Sequence, residues 1–200
     1  APGRYVGEFD SPAAGSYMWP AAGLGPADYR TTNEVRRAFY VANGVPLPTG
    51  IARGAPGAMD RSVLTRMAQI TDGTSNTGFI SESPGRPARI IRGNKPHPTA
   101  TWVGDGWGWA DFDCVSGSLN GASTDGVNTN STGSSAPHAT TVFGNCGINC
   151  TNSSEYYSWH PGGCHTSMVD GVVRFMSENM SGVVLIGVMT REGNEVVGKF

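Results

Sequence analysis

The chain has 200 residues, of which 38% are hydrophobic and 15% are charged, and its formal net charge is −2. This length suits one domain with a core. The low charge argues against a nucleic-acid partner and against a polybasic membrane surface, since both require clustered lysine and arginine. The 29 glycines and 13 prolines indicate a loop-rich fold with few long helices.

The first half of the chain predicts short elements separated by coil. Residues 1–58 are rich in proline, glycine and alanine and contain one short helix or strand near residues 34–41. Apolar residues at i, i+1, i+4 and i+7 within residues 61–70 predict a helix. Asp72-Gly73 would end it, because glycine accepts a left-handed cap. Further strands are predicted at residues 77–81, 89–92 and 101–103.

The second half begins with a long polar stretch at residues 113–150, which predicts a surface loop insertion. Two strand-like runs then flank Asp170-Gly171 and predict a hairpin with a two-residue turn, in which both residues have positive φ. An apolar helix at residues 182–190 and a strand at 195–197 follow. Together these elements predict an α+β domain, which is an antiparallel sheet with one or two short helices and long polar loops.

The segment before the hairpin contains His160, Pro161, Gly162 and Gly163. These residues predict a sharp turn, because proline fixes φ and glycine adopts φ values that other residues avoid. We expect the His160 side chain to be buried and to order backbone, with a main-chain group or a carboxylate such as Asp72 or Asp170 as its partner. The alternative role for His160 is a catalytic base or a metal ligand.

His160 and the Asp170-Gly171 pair are separated by nine residues, and this spacing resembles the H-X9-DG box of the DUF1559 family. That family consists of secreted, pilin-like proteins that are abundant in planctomycete bacteria. Three other segments resemble family motifs in the same order: residues 70–77 (ITDGTSNT), 149–152 (NCTN) and 190–197 (TREGNEVV).

The resemblance implies a single pilin-like head over residues 1–200, with the family core at 65–200 and a loosely matched part at 1–64. Full-length relatives begin with a prepilin leader and a long apolar helix, so we expect a head from which that helix is missing. Membrane contact would then occur only through the absent helix. The implied role is a structural and interaction module of the cell surface, or of a secretion or filament apparatus, with other pilin-like subunits or cell-surface components as partners.

The four cysteines, Cys114, Cys146, Cys150 and Cys164, allow three disulfide connectivities. A bond between Cys146 and Cys150 would close a short loop, and Cys114 would then pair with Cys164. The alternative is a zinc site formed by Cys146, Cys150, Cys164 and His165. An extracellular location favours the disulfides.

Two possible binding sites lie in residues 102–113. Asp105, Asp111 and Asp113 stand in a glycine-rich segment, and calcium prefers several oxygen ligands on such a loop. Trp107 and Trp109 alternate with glycine, so an extended backbone would place both rings on one face. Exposed rings of this kind stack on sugars. The first alternative function is therefore a surface module that binds polysaccharide.

The second alternative is an extracellular hydrolase. The sequence has no G-x-S-x-G, H-E-x-x-H or phosphate-loop motif. A triad can nevertheless assemble from distant positions, and His160 and Asp170 flank one turn. The serine would be Ser75, Ser83 or Ser158. A turn network explains His160 and Asp170 more simply, and we expect no catalytic residue.

Overall fold

The structure is a computed structural model that describes residues 8–9, 17–18, 27–60, 63–86, 88–100, 117–132 and 140–193. In these ranges it contains the short helices α1 (Arg37–Ala42) and α2 (Gly182–Met189), a 3-10 turn at Met67–Gln69, and thirteen strands. The strands are β1 (Glu8–Phe9), β2 (Tyr17–Met18), β3 (Tyr29–Thr31), β4 (Glu34–Arg36), β5 (Gly54–Pro56), β6 (Gly78–Glu82), β7 (Ile90–Ile91), β8 (Lys95–Pro96), β9 (Ser118–Leu119), β10 (Ser131–Thr132), β11 (Thr140–Thr141), β12 (Gly163–Met168) and β13 (Val173–Ser177). None of the helices in these ranges has the length and apolar character needed to cross a bilayer.

The central element is a four-stranded antiparallel sheet with the order β13-β12-β6-β3. Because side chains alternate along a strand, β12 buries Cys164, Thr166 and Met168 on one face. His165 and Ser167 lie on the other face and are partly exposed. We call these the inner face and the outer face. The sheet and the two helices confirm the predicted α+β class.

The core lies against the inner face. Helix α2 contacts β4 and β6 and contributes four buried side chains, Leu185, Ile186, Val188 and Met189. A second sheet with the order β5-β4-β9 also contacts α2 through β4 and adds further core residues. Leu119 of β9 has no exposed surface, so part of the stretch predicted as a loop insertion is packed in the core.

The hairpin between β12 and β13 is present, but its turn differs from the predicted one. The amide of Gly171 donates to Met168 O at 3.0 Å, and the amide of Met168 donates to Val172 O at 2.8 Å. Gly171 has a φ of 89°, whereas Asp170 is not among the described residues with positive φ. The loop thus has three residues, with a tight turn followed by one left-handed glycine. This geometry requires positive φ at a single position, which Gly171 supplies.

The helix predicted for residues 61–70 was wrong. Its described part contains only the 3-10 turn at Met67–Gln69. Of the apolar stripe, Val63, Leu64 and Met67 are exposed, and only Ile70 is buried. A short amphipathic helix is stabilised mainly by the surface on which it packs, and these side chains have little such surface.

Most of the other predicted elements are present. Strand β6, the β12–β13 hairpin and α2 lie where the pattern placed them, and residues 34–42 form a strand followed directly by a helix. The strands predicted at 101–103 and 195–197 lie outside the described residues.

Candidate functional site

The 72–77 loop, which includes the predicted cap Asp72-Gly73, packs against the turn of the hairpin. The amides of Val169 and Asp170 donate to Thr77 O at 3.0 Å and Thr74 O at 3.1 Å. Gly73 has a φ of 93° and its carbonyl accepts from two amides of the same loop, Asn76 and Thr77. The Asp-Gly pairs at 72–73 and 170–171 therefore belong to two loops that hydrogen-bond to each other.

The same loop also holds the segment that begins at Thr190. The carboxylate of Asp72 accepts from the amide of Gly193 at 2.8 Å, and the amide of Thr71 donates to Arg191 O at 2.8 Å. Asp72 therefore accepts a backbone hydrogen bond, and carboxylate–amide bonds of this kind are stronger than neutral ones.

The turn before β12 is ordered by Asn149 and Ser158. Asn149 has a φ of 57°. Its side-chain nitrogen Nδ2 donates to His160 O and to Gly163 O, both at 3.2 Å. Its Oδ1 accepts from the amide of Ser158 at 2.9 Å. The Ser158 hydroxyl accepts from the amide of His160 at 3.0 Å and donates to Gly163 O at 2.6 Å. Sequence reasoning missed this role, although asparagine tolerates the left-handed region better than most residues.

The two glycines of this turn have different functions. Gly162 has a φ of 87°, which favours glycine. A Cβ on Gly163 would lie 2.0 Å from Met176 O, so any side chain at 163 would push β12 and β13 apart.

The prediction that the His160 side chain is buried was wrong. Its side chain is 55% exposed, and its Nε2 lies 3.4 Å from Glu82 Oε1 rather than beside Asp72 or Asp170. The Asp170 carboxylate instead accepts from the amide of Val172 at 3.0 Å. The backbone of His160 is held by Asn149 and Ser158, so its ring is free to face the outer side of the sheet.

Three side chains converge on that outer face: Glu82, His160 and His165. The Nδ1 of His165 lies 3.5 Å from Glu82 Oε2, and the two imidazoles meet edge to face with centroids 5.0 Å apart. One oxygen or nitrogen from each residue lies within 4.8 Å of the others. The set combines two imidazoles and one carboxylate, a combination able to bind a divalent ion. Glu82 was not predicted, because nothing local in the sequence links it to the histidines.

Neighbouring residues fix this cluster, which we call the Glu82 cluster. The amide of His165 donates to Glu82 Oε2 at 2.7 Å, and the ring of Phe175 contacts the His165 ring edge-on at 5.2 Å. The β3–β6 register sets Tyr29 opposite Glu82, and the β12–β13 register sets Phe175 opposite His165. An aromatic residue therefore stands on each side of the cluster.

One bond of the predicted disulfide pairing is confirmed. Cys146 and Cys150 are joined by a disulfide, which removes both from the alternative zinc site. Cys164 is a buried free thiol, so the predicted bond between Cys114 and Cys164 is not formed at Cys164; Cys114 itself lies outside the described residues. Burial raises the pKa of Cys164 to about 11, partly offset by hydrogen bonds from Ser81 and Thr166. Cys164 is therefore a poor metal ligand or nucleophile.

The residues of the other predicted sites lie outside the described part of the chain. Residues 101–116 include Asp105, Asp111 and Asp113 of the calcium prediction and Trp107 and Trp109 of the polysaccharide prediction. Both sites stay predictions.

The residues considered for a hydrolase have other contacts. Ser83 is fully buried, and the Ser158 hydroxyl is engaged with backbone at Gly163. The ring of His160 has Glu82 of β6 as its carboxylate partner, whereas Asp170 lies in the turn between β12 and β13.

A family model described as "Protein of unknown function (DUF1559)" matches residues 7–181. No curated protein and no solved structure matches the chain.

Proposed function

The chain belongs to the DUF1559 family, and on that premise we propose that it is the exported head of a pilin-like protein. It acts as a structural and interaction module of the cell surface, or of a secretion or filament apparatus. Its partners are other pilin-like subunits or cell-surface components. The Cys146–Cys150 disulfide supports export, because disulfides persist mainly in oxidising compartments.

The observation that carries the proposal is the outer face of the central sheet. Tyr29 is 60% exposed, Val173 is 61% exposed and Phe175 is 46% exposed. Single exposed apolar residues are ordinary, but neighbouring ones on one rigid surface are typical of protein contacts. Aromatic side chains also bury much area at little entropic cost.

The motif segments support the same role. The loops at 72–77 and 169–171 hydrogen-bond to each other, and the first also binds the segment at 191–193. These hydrogen bonds hold the two loops and the 191–193 segment in one fixed arrangement beside the sheet. A rigid surface suits a subunit that must assemble repeatedly in one geometry.

Export is tested by labelling intact native cells with a membrane-impermeant amine reagent and recovering the protein. Lys95 lies in an exposed strand and offers an amine. We expect labelling in intact cells at the level reached after lysis. Labelling only after lysis would contradict an exported head.

The contact surface is tested by a photo-crosslinking residue placed at position 173 on the outer face. The matched control is position 183 on α2, where Val183 is 51% exposed. We expect a discrete cross-linked product with a second envelope protein from position 173 and none from 183. Equal products from both positions, or none from 173, would contradict the outer face as the contact.

A further inference from the structure

We propose that the Glu82 cluster is a binding site for a first-row divalent transition metal ion such as Zn²⁺. Glu82 Oε, His160 Nε2 and His165 Nδ1 are the three protein ligands, and water takes the remaining position. The site joins the end of β6, the turn before β12 and β12 itself.

The spacing of the three groups suits one ion. Ligand atoms held about 2.1 Å from a tetrahedral Zn²⁺ lie roughly 3.4 Å apart. Glu82 Oε1 lies 3.4 Å from His160 Nε2, Glu82 Oε2 lies 3.5 Å from His165 Nδ1, and one ligand atom from each of the three residues lies within 4.8 Å of the others. The first two distances exceed those of good hydrogen bonds between such groups. The two rings therefore converge on the carboxylate without forming a short bond to it.

The ligands are also held in place by their surroundings. Glu82 Oε2 accepts from the amide of His165, and Phe175 contacts the His165 ring. The backbone of His160 is fixed by Asn149 and Ser158. Hydrogen bonds of this kind orient ligands around metal ions and raise affinity.

The approach from solvent is open. The side chains of His160 and His165 are 55% and 44% exposed, whereas that of Glu82 is 15% exposed. An ion can reach the rings directly and be bound by a carboxylate that is already partly desolvated. This exposure leaves one face of the ion for water.

The donor set selects the class of metal. Imidazole nitrogen suits Zn²⁺, Cu²⁺, Ni²⁺ and Fe²⁺, whereas Ca²⁺ and Mg²⁺ prefer sites made of oxygen. Two imidazoles and one carboxylate form a common three-ligand set for Zn²⁺. The site thus differs in its residues and in its donor chemistry from the calcium site predicted at 105–113.

The other described histidine does not compete for the ion. His97 is 7% exposed, and its Nε2 lies 2.9 Å from Val127 O. Its Nδ1 accepts from the amides of Thr99 and Ala100. Both ring nitrogens are therefore engaged.

The test is isothermal titration of Zn²⁺ into the metal-free 200-residue chain, with Co²⁺ as a spectroscopic probe of nitrogen ligation. We expect one equivalent to bind. His160→Gln and His165→Gln should each weaken binding at least ~10-fold, since even the loss of an outer-shell partner costs this much. Glu82→Gln should do the same while it keeps an oxygen for the amide of His165.

Two control variants exclude other ligands. His138→Ala and Cys114→Ser remove a histidine and a thiol from outside the described residues and should bind Zn²⁺ like the wild type. Circular dichroism checks that each variant is folded. We expect His160→Gln and His165→Gln to fold, because both side chains are partly exposed. If the wild type takes up no Zn²⁺, or if the three cluster variants bind it as tightly as the wild type, the proposal is wrong.

Discussion

The two faces of the central sheet are made by the same four strands but differ in character. On the inner face, Cys164, Met168 and Met176 have no exposed surface. On the outer face, Val173 and Phe175 are exposed, and the Glu82 cluster is open to solvent. The alternation of side chains along β12 and β13 produces both faces at once.

This difference separates stability from interaction. Burial of apolar surface on the inner face stabilises the fold by about 25 cal/mol per Å². The residue types on this face are therefore restricted by packing. The outer face gains little from its exposed groups and is free to carry imidazoles, a carboxylate and aromatic rings. Substitutions on the two faces should therefore have different effects.

The largest expected effect comes from comparing two residues of β13 on opposite faces of the sheet. Met176→Ala should lower the free energy of unfolding by about 2–5 kcal/mol, because it removes buried atoms and leaves a cavity. Val173→Ala, at a position 61% exposed, should change it by about 0.5 kcal/mol or less. Urea denaturation measures both, and similar losses would show that the outer face is covered.

The next effect concerns the turn before β12. Asn149→Ala should lower the free energy of unfolding by about 2 kcal/mol or more, since Gly163 O and the amide of Ser158 lose a buried partner. Alanine also disfavours the φ of 57° found there.

His160→Ala is the matched substitution on the outer face. It should cost less than about 1 kcal/mol, since a polar contact of a side chain that is 55% exposed contributes little. Thermal or urea unfolding compares the two variants. A larger loss for His160→Ala than for Asn149→Ala would restore the histidine as the residue that orders the turn.

A third effect concerns Glu155, which has no exposed surface. Burial raises the pKa of its carboxyl to about 8, although Gly121 N and Arg30 favour the ionised form. The folded state then keeps a proton that the unfolded state loses. The free energy of unfolding should therefore fall as the pH rises from about 4.5 towards 8 and level off above it.

The measurement is urea denaturation at several pH values. Glu155→Gln should flatten the dependence in this window, whereas Glu192→Gln, which removes an exposed carboxylate, should leave it unchanged. Equal slopes in wild type and Glu155→Gln would contradict a buried protonated carboxyl.

The smallest effect leaves stability unchanged and concerns thiol reactivity on the two faces. In a Cys114→Ser background, Cys164 should react with iodoacetamide at least ~100-fold more slowly than a thiol introduced by Val173→Cys. The raised pKa of Cys164 lowers its thiolate fraction and burial blocks access. Mass spectrometry follows both reactions, and rapid labelling of Cys164 would show that the inner face opens.

Elements defined by adjacent residues could be predicted from the sequence. The β12–β13 hairpin follows from two β-forming runs around Asp170-Gly171, and α2 from an apolar run at 182–190. The Cys146–Cys150 bond joins two cysteines four residues apart, the pair that would close a short loop. The four motif segments indicated the family that the family model then matched. Each of these depends on neighbours in the chain, so the sequence alone determines it.

Other features depend on residues that meet only in the folded chain. The stripe at 61–70 has helical spacing, yet it lacks a surface to bury and forms one 3-10 turn. The turn at 169–171 has three residues, and its amides donate hydrogen bonds to carbonyls of the distant 72–77 loop. Glu82 reaches the histidines because β6 pairs with β12 in one register. Local pattern sets which elements can form, but strand register and the packing of distant segments decide which side chains come together. The candidate site was therefore decided by the tertiary structure.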